Sequence, residues 1–113
     1  MNLLNLVNNG QKVPQAILLP SVIGEQCVEE YNFFEYECIS AAQSVGGVLR
    51  NGAMFMGDWS HTPPGCFINP RDNVIHFSRN SDGMNNGGYS AVCKPMVCTN
   101  LKYPIQSLSI VCI

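Results

Sequence analysis

Tyr31 to Gly47 reads YNFFEYECISAAQSVGG, and it is the stretch of this chain that carries the most agreeing helix signals. Asn32 has the side-chain oxygen an N-cap needs, and Glu35, three residues on, completes the pattern of a capping box. Tyr31 and Tyr36 stand at the flanking positions of a hydrophobic staple. Glu35 and Glu37 fall in the first turns, where the helix dipole favours negative charge. Cys38, Ala41, Ala42 and Val45 then recur at three-to-four spacing and form one apolar face. Gly46 and Gly47 end the pattern, because glycine accepts the positive φ of a C-terminal cap without penalty. The spacing predicts a helix over Phe33–Val45, with Cys38 turned inward.

Beyond this helix the hydrophobic period shortens to two. Gly52–Met56 is predicted as a strand and Gly57-Asp58 as a turn, followed by the rigid loop HTPPG, where Pro63 and Pro64 exclude helix. Gly65–Ile68 (GCFI) reads as a short buried strand, and Asn69–Asn73 (NPRDN) as a turn by composition. In Val74–Arg79 the alternation sends Ile75 and Phe77 one way and His76 and Ser78 the other. Asn80–Gly88 (NSDGMNNGG) is a loop too polar for a core, and Tyr89–Lys94 is the next strand, with Tyr89, Ala91 and Cys93 on one face. The fold class expected is α+β, one principal helix packed on a small antiparallel sheet of short strands.

Six cysteines in 113 residues, at 27, 38, 66, 93, 98 and 112, read as a disulfide framework. Metal ligation needs paired ligands at short spacing. The closest cysteine pair, Cys93 and Cys98, has no second matching pair, and His61 and His76 are too far apart in sequence to complete a zinc motif. No metal and no cofactor is therefore expected. Cys38 on the inner helix face is expected to bridge to Cys66 in the strand after the proline loop. Cys27 is expected to bridge to Cys93, tying the ends of a unit spanning 25–94, and Cys98 to Cys112 as a local loop. The charge and most local signals concentrate in 25–94, so 1–24 and 95–113 are expected to be extensions to one cysteine-stapled module.

Charged residues make up only 12% of the chain and hydrophobic ones 46%, which excludes disorder by composition. The net charge is -2 and the six basic residues are scattered singly, so no stripe exists to neutralise phosphates and nucleic acid is not an expected partner. The apolar stretch Ala16–Ile23 is too short to span a bilayer and is interrupted by Pro20. Residues 1–9 lack the basic start and unbroken apolar run of a signal peptide. The cysteine usage nevertheless points to an extracellular or cell-surface setting.

Three places carry candidate chemistry. In Gly57–Phe67 (GDWSHTPPGCF), Asp58, His61 and Cys66 suggest a Cys-His nucleophile, but a cysteine within GCFI fits a buried half-cystine, and no catalytic residue is expected. The loop 80–88 offers oxygens from Asn80, Asp82, Asn85 and Asn86 with a single carboxylate, too few charges for a calcium loop. Trp59, the only tryptophan, has two readings: a plug for a small core, or an exposed stacking platform beside polar groups. Asp58, Trp59, His61, Asp82, Asn85 and Asn86 are accordingly the candidate binding residues, for a glycan or for another extracellular protein. The expected function is a non-catalytic recognition or structural module. The alternatives are a fragment of a secreted enzyme whose catalytic residues lie elsewhere, and a structural wall or matrix unit.

The series ECISAAQSVGG, GDWSHTPPGCF, VIHFSRN and YSAVCK resembles a small cysteine module found in predicted extracellular proteins of marine algae and other protists. The resemblance covers about residues 25–94 and implies a Cys-x3-Ala helix ahead of a P-x-GC strand, with a closing Cys-Lys; it implies no particular activity. ECISAAQSVGGVL is also similar to the helical-cysteine and Gly-Gly region of C-type lectin-like domains, although their WND and EPN-type calcium motifs are absent here. That second resemblance implies carbohydrate recognition.

Overall fold

The computed structural model describes residues 15–96 in full and the backbone of 98–102 and 108–112. The chain divides into two units, one of them Gln15–Lys94. This unit holds strands β1 (Ile17–Leu18), β2 (Phe55–Gly57), β3 (Gly65–Asn69), β4 (Val74–Ser78) and β5 (Ser90–Cys93), and one α-helix, α1 (Glu35–Ser44). A single 3-10 turn, Glu29–Tyr31, precedes the helix. The sheet order is β1-β5-β3-β4-β2. The fold is α+β.

The helix begins two residues later than the capping pattern at Asn32 suggests. Phe34 is the N-cap, and its N–H donates to Glu37 Oε1 at 2.9 Å, so the carboxylate that closes the cap is Glu37 rather than Glu35. The competing demand is backbone pairing. Asn32 is bridged to Cys93 across the edge of β5, and Lys94 N–H donates to Tyr31 O at 2.7 Å. That pairing holds Tyr31 and Asn32 out of the helix. Tyr36 consequently does not staple to Tyr31; it is exposed and stacks on Phe34 with centroids 5.8 Å apart. Glu35 turns outward to pair with Arg79 at 3.1 Å. At the other end Gly46 takes φ +97°, and Gly47 N–H donates to Ala42 O at 2.8 Å.

Most pairings in the sheet are antiparallel, but β2 runs parallel to β4, with Phe55 opposite His76. The expected antiparallel sheet is thus corrected to a mixed one. The reason is topological. The proline loop reverses the chain from β2 into β3, and the turn at 70–73 reverses it again into β4. Two reversals leave β2 and β4 pointing the same way, and β4 lies between β2 and β3. The second reversal is closed by Asn73 N–H donating to Asn69 O at 2.7 Å, with Asn73 at φ +62°.

Alternation along the strands sorts residues between two faces. Cys66, Ile68, Ile75 and Val92 join Cys38, Ala41 and Ala42 of α1 in one core cluster, which Ala16 also enters. Two disulfides fasten it: Cys38–Cys66 couples helix to β3, and Cys27–Cys93 couples the segment before the helix to β5, with Cα separations of 5.4 and 5.5 Å. Residues 15–24 belong to the same unit, since Ala16 is buried and Leu19 N–H donates to Ala91 O at 2.9 Å. No helix among the described residues is long and apolar enough to cross a membrane.

The second unit contains an antiparallel hairpin, β6 (Cys98–Lys102) with β7 (Leu108–Cys112). Its backbone register sets residue 98 opposite residue 112. The side chains of the expected Cys98–Cys112 bridge lie outside the described residues.

Candidate functional site

The face of the sheet turned away from α1 carries a layer of aromatic rings. Its floor is Phe67 of β3, fully buried although it alternates with the core-facing Cys66 and Ile68. His76, opposite Phe67 in the register, stacks on it with centroids 5.0 Å apart and planes inclined by 18°. Phe55 of β2 stacks on the other side of the same imidazole at 5.4 Å. His76 is therefore held between two phenyl rings. Its Nδ1 lies 2.8 Å from Val74 O; a carbonyl only accepts, so Nδ1 carries the proton and Nε2 is the ring's remaining polar atom.

The walls come from loops. Trp59 meets Phe67 edge-on at 6.0 Å and His76 at 5.8 Å. Gly57 makes this approach possible, because a Cβ there would fall inside the Trp59 indole. Trp59 N–H is also tied to Ser78 Oγ at 3.3 Å. On the other side Tyr89 meets Phe67 at 5.2 Å, and His61 tilts against Tyr89 at 5.9 Å. Arg50 covers the Phe55 ring at 5.2 Å and forms an ion pair with Asp72. Together these rings and polar groups enclose an open cleft of about 250 Å³. Trp59 itself is half-buried, one side packed and one side available to the cleft.

Of the residues singled out from sequence, the cleft brings together Trp59 and His61. Asp58 is exposed and does not line it. Asp82 borders a separate, larger groove of about 560 Å³ beside Gln26, Glu29, Asn32 and Phe34. That groove contains the one buried polar side-chain atom without a partner among the described residues, Asn32 Oδ1, but its acids Glu29, Glu30 and Asp82 face a single cation, Lys94. Asn86 is exposed and lines a third pocket next to the cleft.

Asn85 is a correction. It is fully buried, and its polar atoms are engaged within the protein: Nδ2 donates to Glu25 O at 2.9 Å and to Tyr89 O at 2.8 Å, and Oδ1 accepts from Gly87 N–H at 2.9 Å. It clamps the 80–88 loop and offers nothing to a ligand. The loop as a whole is not a loose solvated turn. Met84 N–H donates to Ser60 O and Asn86 N–H to His61 O, and Gly83 is buried against Thr62. A polar loop packs here because its amides are satisfied internally. Cys66, bonded to Cys38, has no thiolate to offer, so the Asp58–His61–Cys66 combination cannot act as a nucleophile site. Among the described residues no group of three or more His, Cys, Asp or Glu side chains is arranged to hold a metal ion.

Sequence reading missed Phe55, Phe67, His76 and Tyr89 as cleft residues. The signal was present for Phe67 and His76: both occupy the face opposite the cysteine and isoleucine positions of adjacent strands. Comparison with known proteins returned no matching family model, no matching curated protein and no matching solved structure.

Proposed function

We propose that this chain is a non-catalytic extracellular recognition module that binds a carbohydrate in the aromatic cleft. The observation that carries the reading is Trp59: a half-buried indole in a concave patch, with Phe55, His61, His76 and Tyr89 around it and Arg50 at its edge. Sugar rings present apolar C–H faces and a rim of hydroxyls, so their recognition needs aromatic faces combined with directional hydrogen bonds. The two disulfides support an oxidising setting. Screening the full chain on a glycan array, followed by titration of the retained glycans, tests the proposal. Trp59→Ala should weaken binding by about tenfold or more through lost ring contact. Glycan binding that is indifferent to Trp59→Ala, or an array without a retained glycan, would overturn it.

A further inference from the structure

We propose, resting on the carbohydrate reading above, that the ligand is an acidic oligosaccharide that spans two neighbouring subsites. The second subsite is a pocket of about 230 Å³ that shares Asn69 and Tyr89 with the aromatic cleft and adds Arg71, Asn86 and Gly88.

The carboxylate and amide oxygens are each already engaged, leaving His76 Nε2 and the Tyr89 hydroxyl among the side-chain acceptors still open. Asp72 is the one carboxylate lining either cavity; its Oδ2 takes the Arg50 guanidinium and its Oδ1 takes Val74 N–H at 3.0 Å. Asn69 Oδ1 accepts from Arg71 N–H at 3.1 Å, and Asn86 Oδ1 accepts from Gly88 N–H at 2.9 Å. These contacts fix both amides with their NH2 groups turned to the other side, where neither has a hydrogen-bond partner among the described residues. The donors therefore remain: the amide nitrogens of Asn69 and Asn86, the further N–H groups of Arg50, and the guanidinium of Arg71, which is exposed and has no ion-pair partner among the described residues.

A surface whose open donors outnumber its open acceptors favours a ligand with the opposite balance. Carboxylate or sulfate groups on a sugar meet that need, because a guanidinium binds such an anion through two parallel N–H···O bonds. The chain as a whole has a net charge of -2, yet two of its three arginines stand at these two cavities. The aromatic cleft would take the apolar face of one ring, and Arg71 with Asn86 would take the anionic group of the next.

Calorimetric titration of the full chain with three tetrasaccharides tests this: tetragalacturonate, its fully methyl-esterified form, and a sulfated galactan fragment. At least one of the two anionic sugars should bind about tenfold or more tightly than the ester, with affinity falling as salt is raised. Whichever anion binds identifies carboxylate or sulfate as the group recognised. Arg71→Gln should weaken that binding by about fivefold or more while leaving the melting temperature unchanged. Equal binding of the ester and the acids, still lost in Trp59→Ala, would overturn the acidic ligand and leave the carbohydrate reading standing. Anion binding indifferent to Arg71→Gln would overturn the second subsite. Failure of all three sugars would overturn the acidic ligand, and the glycan array then decides the carbohydrate reading separately.

Discussion

On the helix-facing side of the five-stranded sheet, Cys66, Ile75 and Val92 are sealed under α1 and held by a disulfide. On the opposite side Phe67 is buried just as completely, but the rings against it, His76 stacked and Trp59 edge-on, remain partly open. Both faces are made by the same two-residue alternation, and each uses one glycine for close approach. Gly47 lets the helix end settle on Ile75; a Cβ there would lie 2.7 Å from Ile75 Cγ1 and 2.9 Å from Ala42 O. Gly57 does the same for the indole of Trp59. The difference is in what covers each face. A helix covers the first with the small side chains of Cys38, Ala41 and Ala42, and the strand residues beneath them are buried. The second is lined by flat rings, Phe55 and His76 from strands and Trp59, His61 and Tyr89 from the loops between them, which stack or meet edge-on and leave a cleft between them. A small domain thus seals one face of its sheet under a helix and leaves the other open, the face that the proposed reading assigns to recognition.

The largest effect that sharpens this contrast should come from the closed face. Removing the bridge with Cys38→Ala and Cys66→Ala together should cost about 2–5 kcal/mol, lowering Tm by ~10 °C or more in a thermal melt. Next is Asn85→Ala, which strips the clamp from the loop walling the open face. Carbonyls of Glu25 and Tyr89 would lose their donor, at a cost of about 2–3 kcal/mol by denaturant titration.

The paired glycine substitutions separate the faces directly. Gly47→Ala and Gly57→Ala should each destabilise by about 1–2 kcal/mol through overpacking. Only Gly57→Ala should shift tryptophan emission to longer wavelength, because only it pushes Trp59 outward. An emission shift in Gly47→Ala as well would mean the two faces are mechanically coupled. Smallest is Arg50→Ala: a rim ion pair this exposed contributes under about 1 kcal/mol, so Tm should move little.

Much of the closed face was legible in the sequence, and less of the open one. Cys38 lay on the only clear apolar helical stripe, and Cys66 sat in an unbroken buried run, so their bridge followed from the pattern; the span ends pointed to Cys27–Cys93 in the same way. The start of α1 was misread because a capping pattern is local, whereas the bridge of Asn32 to Cys93 joins residues far apart in sequence. The parallel β2·β4 pair was hidden for a related reason: strand direction depends on how many reversals intervene, and period-two alternation is the same in both directions. Trp59 and His61 were found as isolated residue types. Their companions Phe55, Phe67, His76 and Tyr89 come from four separate segments, which only the assembled sheet brings together. Asn85 was mistaken for a surface donor because its environment, not its type, decides its role; nothing in NSDGMNNGG distinguishes it from Asn86.

Because Trp59 is the only tryptophan, its emission reports on the open face alone. Steady-state fluorescence of the full chain, titrated with a glycan retained on the array, is the most direct measurement of the claim that this face is the recognition surface. The expected result is a saturable change in Trp59 emission, with a midpoint that matches the calorimetric Kd and that survives Gly47→Ala but not Gly57→Ala. Saturable glycan binding by calorimetry with Trp59 emission unchanged throughout would contradict it, and would move the binding site off this face of the sheet.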